Sequence, residues 1–150
     1  MTKILMVCLG NICRSPLAEG ILKSKLNQNK YFIDSAGTAD YHSGELPDHR
    51  SIKVGEENKI DLTKQRARQI KPSDFETFDL IYAMDQSVFY DLIAMTKNEA
   101  QKQKVKLILN EVFPDENMDV PDPYYESIYA FRNVYKMLDN ACNIIAKKID

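Results

Sequence analysis

Five residues separate Cys8 from Arg14 in Val7-Cys8-Leu9-Gly10-Asn11-Ile12-Cys13-Arg14-Ser15-Pro16. An apolar run, Ile4-Leu5-Met6-Val7, precedes this stretch and a helix-like pattern follows from Leu17. A loop between a buried strand and a helix N-terminus gathers backbone N–H groups, and the helix dipole adds partial positive charge. A free thiol ionises near pH 8.5, and a helix N-terminus and a nearby cation bring it down. A guanidinium can grip two oxygens of an oxyanion with parallel hydrogen bonds. The stretch is thus equipped for nucleophilic attack by a thiolate on a phosphate-like group. Gly10 suits it, because glycine tolerates unusual φ and close backbone approach.

Cleaving a phosphate ester this way also needs an acid for the leaving oxygen, which then serves as a base for water. Asp122 is the candidate, in Val120-Pro121-Asp122-Pro123-Tyr124-Tyr125. Flanking prolines stiffen the chain, and the tyrosines can stack on a flat substrate. Asp115, Glu116 and Asp119 share the loop, but they lack these neighbours.

The elements that must position these groups follow from hydrophobic patterning. Lys3 to Val7 reads as a buried parallel strand. Ser15 fits an N-cap and Pro16 a first helical position, with Leu17, Ala18, Ile21, Leu22 and Leu26 on one helical face. Tyr31 to Asp34 is a second strand, left by a turn at Ser35 to Thr38. Tyr41 to Gly44 is loop, and a helix begins near Leu46 to Asp48 and runs to Glu57. The basic segment Thr63 to Ile70 has no clear element, and Lys64, Arg66 and Arg68 are expected on a solvated face. A short helix starts around Pro72 to Phe75. Asp79 to Met84 is a third strand, after which Asp85 caps a helix through Ala94. Asn98 to Lys104 reads as polar connection and Val105 to Leu109 as a fourth strand. Glu111 to Tyr125 is an acidic loop, long enough to suggest function. A final helix from Glu126 or Ser127 carries an apolar stripe from Ile128 to Ile149. Strands alternating with helices predict an α/β fold with a four-stranded parallel sheet and helices on both faces. Its ligand site belongs at the carboxyl ends of the strands, where Cys8 to Ser15, Ser35 to Tyr41, Asp85 and the acidic loop share one rim.

The 150 residues fit a single domain, 1–150. A formal net charge of -2 argues against general nucleic-acid binding. No run approaches a membrane span and no secretory signal is present, so a cytoplasmic location is expected, with export that needs no signal peptide left open. Three cysteines do not make a disulfide framework. With His42 and His49 they give no zinc set; no metal or cofactor is expected. Cys142 belongs to the apolar stripe of the last helix. Both histidines are expected at the surface, His42 near enough to Tyr41 to touch a ligand.

The whole chain resembles the low-molecular-weight protein tyrosine phosphatase family. The matching pieces are Val7 to Glu19, Asp34-Ser35-Ala36-Gly37-Thr38, Ala67-Arg68-Gln69, Phe78-Asp79, Ala83-Met84-Asp85 and Val120 to Tyr124, in the family's order. The resemblance implies a Rossmann-like sheet of flavodoxin-like order 2-1-3-4. It implies hydrolysis of phosphotyrosine or a small aryl phosphate through a phosphocysteine on Cys8, with Arg14 holding phosphate and Asp122 as acid and base. Ser15 would hydrogen-bond the thiolate and Asn11 would hold the loop. Leu9, Gly10, Ile12 and Cys13 would complete a loop for phosphate or another oxyanion. Cys13 would also be the second thiol of a reversible disulfide with Cys8. Tyr41 and Tyr124 would wall the pocket, with Tyr125 at its rim. Gln65 stands where the family often has a histidine that supports the loop; an amide donates and accepts, so that network is expected to persist.

Two other functions fit parts of the sequence. A thioredoxin-coupled arsenate reductase on the same fold would need relay cysteines shortly after the third strand, and Met84 to Ile93 has none. A phosphate-binding module without activity would have no use for Cys8 and Asp122 together.

Overall fold

A computed structural model describes residues 1–150. The four strands are β1 (Thr2–Cys8), β2 (Tyr31–Gly37), β3 (Leu80–Ala83) and β4 (Val105–Leu107). The helices are α1 (Arg14–Lys25), α2 (His49–Glu57), α3 (Asp74–Thr77), α4 (Gln86–Met95), α5 (Glu99–Lys104) and α6 (Ile128–Ile149). All strand pairs are parallel, in the order β2-β1-β3-β4, as the expected α/β architecture requires.

Central β1 shows why its apolar run has no gaps: both of its faces are covered. Ile4, Met6 and Cys8 pack with residues of α1 and α6, whereas Leu5 and Val7 pack with Phe75 of α3 and with Val88 and Leu92 of α4. This is the two-residue period of a strand between two helical layers. The stripe on α6 is buried at Phe131, Val134, Leu138, Ala141, Cys142 and Ile145, and no helix is long and apolar enough to cross a membrane.

Four local expectations change. Strand β2 continues through Ser35-Ala36-Gly37 instead of turning at Ser35, because these residues pair in register with Met6, Val7 and Cys8. Sheet pairing outweighs the weak strand preference of serine and glycine. Cys13, not Ser15, is the N-cap of α1, which frees the Ser15 hydroxyl for other work. The polar connection at 98–104 is helix α5, whose Asn98 side chain accepts from Gln101 N–H. Finally, β4 ends at Leu107, and Ile108–Glu111 form a 3-10 turn whose Ile108 and Leu109 remain buried.

The basic segment that had no clear element also finds its place. Gly37 N–H donates to Arg68 O at 2.8 Å and Ile70 N–H donates to Gly37 O at 2.8 Å, so Gln69 bridges to Gly37 in parallel. At Gly37 three backbone runs meet. A Cβ there would lie 2.7 Å from Leu9 O and 3.1 Å from both Ala39 O and Asn11 N. Only glycine fits, because all three neighbours are backbone. Gly37→Ala is expected to cost about 1–3 kcal/mol, as overpacking does, read in urea unfolding; an unchanged midpoint would contradict the close approach.

Candidate active site

The carboxyl end of β1 delivers Cys8 into a loop that α1 closes. The turn depends on Asn11, which takes the left-handed conformation at φ 57, a region where asparagine is better tolerated than most side chains. With this turn the Asn11 backbone N–H points back at Cys8 Sγ, 3.3 Å away. The Ser15 hydroxyl lies 3.0 Å from the same sulfur.

Proton counting fixes the direction of this network. The backbone N–H of Arg68 donates to Asn11 Oδ1 at 3.0 Å. The other end of the amide, Nδ2, must then be the donor to Ser15 Oγ at 2.8 Å and to Ser35 Oγ at 3.0 Å. Ser15 accepts from Asn11, so its own proton is free for Cys8 Sγ. Ser35 gives its proton to Glu19 Oε1 at 2.6 Å. Burial holds the Glu19 carboxyl above its usual range, against the opposing effect of Lys23, whose Nζ donates to Glu19 Oε2 at 2.6 Å. Glu19 and Lys23 therefore terminate the chain behind the loop. Gln65 takes no part in it: its Nε2 donates to Pro16 O at 3.1 Å, and its Oε1 has no partner. The loop network persists, but without the residue expected to sustain it.

Arg14 is 2 % exposed. Its Nη1 donates to Asp85 Oδ2 at 2.6 Å and to Val120 O at 2.9 Å. Burial alone would weaken its hold on a proton, but the Cys8 and Asp85 charges outweigh this and keep it a cation. Asp85 also caps α4, its Oδ1 accepting from Val88 N–H at 2.8 Å. The cap was legible in the sequence; the second oxygen on Arg14 was not. Arg14 Nε is buried and has no acceptor within the protein.

A cavity of about 230 Å³ opens over the loop. Cys8, Leu9, Gly10, Ile12, Cys13 and Arg14 form its floor, and Tyr41, His42, Asp122, Tyr124 and Tyr125 form its walls. Every expected site residue lines it except Asn11 and Ser15, which sit behind the floor. The Asp122 Oδ2 atom lies 3.8 Å from Arg14 Nη2, and its side chain is 44 % exposed. Tyr124 and Tyr125 meet edge to face at 4.9 Å, and Tyr125 stands 93 % exposed at the rim. His42 is a wall residue, its ring 6.2 Å from that of Tyr124. Burial, and after it the Asp48 carboxylate, push the Cys13 thiol far above the ordinary range.

The geometry predicts separable effects at Asn11. Asn11→Ala loses the amide bonds and places alanine at φ 57, whereas Asn11→Gly loses the bonds alone. The glycine variant is expected to be the more stable of the two by about 1 kcal/mol, and both to fall below the native protein in urea unfolding. Equal stabilities of all three would contradict the role of the amide.

Residues 3–150 match the family model described as low molecular weight phosphotyrosine protein phosphatase. The chain is 39% identical over 146 residues to the phosphatase of that name from Schizosaccharomyces pombe, covering 92% of each chain. It is 36% identical over 150 residues to the human one, covering 97% of this chain and 94% of the relative. Among solved structures, a protein tyrosine phosphatase from Entamoeba histolytica superposes with a TM-score of 0.91 at 39% identity, covering 99% of this chain and 97% of the other. Vibrio vulnificus Wzb in complex with benzylphosphonate superposes with a TM-score of 0.88 at 32% identity, covering 99% of each. The chain belongs to the low molecular weight phosphotyrosine protein phosphatase family.

Proposed function

We propose that this chain hydrolyses phosphotyrosine in proteins, and small aryl phosphates, in two steps through a phosphocysteine on Cys8. The observation that carries the reading is the pairing of one sulfur with two donors, Asn11 N–H and Ser15 O–H, in a cavity shared with Arg14 and Asp122. A thiolate accepts both bonds. Cys13, held protonated by its burial, is the poorer nucleophile.

In the first step the Cys8 thiolate attacks phosphorus and the bond from phosphorus to the aryl oxygen breaks. Asp122 gives its proton to that oxygen. The unpartnered Arg14 Nε and the loop N–H groups hold the equatorial oxygens, where charge accumulates. In the second step water attacks phosphorus, Asp122 takes the proton of the water, and the sulfur–phosphorus bond breaks. Ser15 and Asn11 stabilise the thiolate as it leaves. Leu9, Gly10 and Ile12 shape the floor; Tyr41 and Tyr124 pack on the aryl ring, with Tyr125 at the entrance. Benzylphosphonate, which Wzb holds, has the same ring and anion with a carbon in place of the ester oxygen, in keeping with an aryl phosphate here.

An arsenate reductase would need an accessible relay thiol. The remaining cysteine, Cys142, is 0% exposed against Ala18 O, and burial pushes its thiol up to about 12. Three free cysteines and chemistry that requires a thiolate fit a reducing compartment such as the cytoplasm. The net charge of -2 gives nucleic acid no general attraction.

Hydrolysis of p-nitrophenyl phosphate tests the reading. Cys8→Ser is expected to abolish turnover while inorganic phosphate still binds, and Asp122→Asn to lower kcat/KM by at least about 100-fold. Full turnover by Cys8→Ser would overturn it.

A further inference from the structure

The acid-bearing loop is tied to the protein unevenly. Up to Val120 it is well fastened: Val120 N–H donates to Met84 O at 2.9 Å, and Val120 O accepts from Arg14. Beyond Val120 the loop's own hydrogen bonds are local, Tyr124 N–H to Asp122 Oδ1 and Glu126 N–H to Pro123 O. From Pro121 to Glu126 its hydrogen bonds to another element come from one side chain. Arg50 donates from Nη2 to Tyr124 O at 2.9 Å and from Nη1 to Glu126 O at 2.8 Å. Its guanidinium also lies 5.9 Å from the Tyr124 ring centre and 4.4 Å from that of Phe131.

Arg50 is itself fixed. Asp48 Oδ1 accepts from Arg50 Nε at 3.0 Å and Oδ2 accepts from Nη2 at 2.9 Å. The same turn of α2 grips the nucleophile loop: Asp48 N–H donates to Ile12 O at 2.8 Å, and Ser51 Oγ donates to Cys13 O at 3.1 Å. One helical turn therefore holds the loop of Cys8 with its backbone and serine, and the loop of Asp122 with its arginine.

We propose that Arg50, oriented by Asp48, is a positioning residue for the general acid: it sets where Asp122 stands over the sulfur of Cys8. This rests on the phosphatase reading and on Asp122 as its acid. The proline on each side of Asp122 passes the constraint along the chain, since a stiff Pro-Asp-Pro segment anchored at Tyr124 leaves the carboxylate little freedom. Holding a group at its reacting distance is worth large factors in rate. The position of Asp122 matters only when the leaving oxygen needs a proton, so loss of Arg50 acts selectively on poor leaving groups.

The test compares kcat/KM for phenyl phosphate, whose leaving group needs the proton, with that for 2,4-dinitrophenyl phosphate, whose leaving group does not. Arg50→Ala is expected to lose about 10-fold or more on phenyl phosphate and less than about 3-fold on the dinitrophenyl ester. Arg50→Lys, which can still reach one carbonyl, is expected to recover part of the loss. Added to Asp122→Asn, Arg50→Ala is expected to have little further effect, because both act through one proton transfer. Competitive inhibition by inorganic phosphate, unchanged in Arg50→Ala, shows that the loop of Cys8 remains folded. An equal loss on both esters, or no loss on either, would overturn the proposal. If Asp122→Asn itself showed no preference between the esters, the assignment of the acid would fail instead.

Discussion

The site depends on the direction of one amide. Arg68 offers a backbone N–H to Asn11 Oδ1, and a backbone N–H cannot be turned round. The Asn11 amide is therefore oriented, the Ser15 hydroxyl is oriented by it, and the proton that reaches Cys8 Sγ follows. The geometry that presents this N–H comes from Gly37, where β2 meets the segment around Gln69 with no room for a Cβ. The ion pairs of Arg68 with Asp34 at 3.1 Å and Asp74 at 3.0 Å hold that segment in place. A chemical property of one sulfur is thus written into backbone pairing on the far side of the loop.

The second constraint is a buried cation. Taking Arg14 out of water is costly unless it is paired and its donors are used. Asp85 and the Val120 carbonyl satisfy one nitrogen, and these partners come from just past the end of β3 and from within the acid loop. Folding these segments around Arg14 brings three parts of the rim together. Arg14 Nε is left without a partner, so the cation that is costly to bury keeps a donor suited to an oxyanion.

Much of this was legible in the sequence, because it is local. Ile4 to Val7 reads as a covered strand, and Cys8, Arg14 and Ser15 lie within one short loop. Asp122 is singled out by its own neighbours. What could not be read depends on partners far along the chain. Arg68 reads as part of a solvated basic face, because Asp34 is 34 positions away and the Asn11 side-chain oxygen 57. Ser35 and Gly37 look like a turn until β1 lies beside them, so the sequence alone ends β2 too early. Helix α5 has six residues, Glu99-Ala100-Gln101-Lys102-Gln103-Lys104, and no apolar stripe to announce it. Arg50 carried no signal at all: its two carbonyl partners are 74 and 76 positions distant.

The proposed two-step route requires a covalent bond between Cys8 and phosphorus. Its most direct test is rapid quenching of the Asp122→Asn enzyme during turnover of 2,4-dinitrophenyl phosphate, followed by mass spectrometry of the peptides. The leaving group needs no acid and the water lacks its base, so the intermediate accumulates. A phosphoryl group is expected on Cys8 and on no other residue. A burst of dinitrophenol with Cys8 unmodified, or phosphate carried by Cys13, would contradict it.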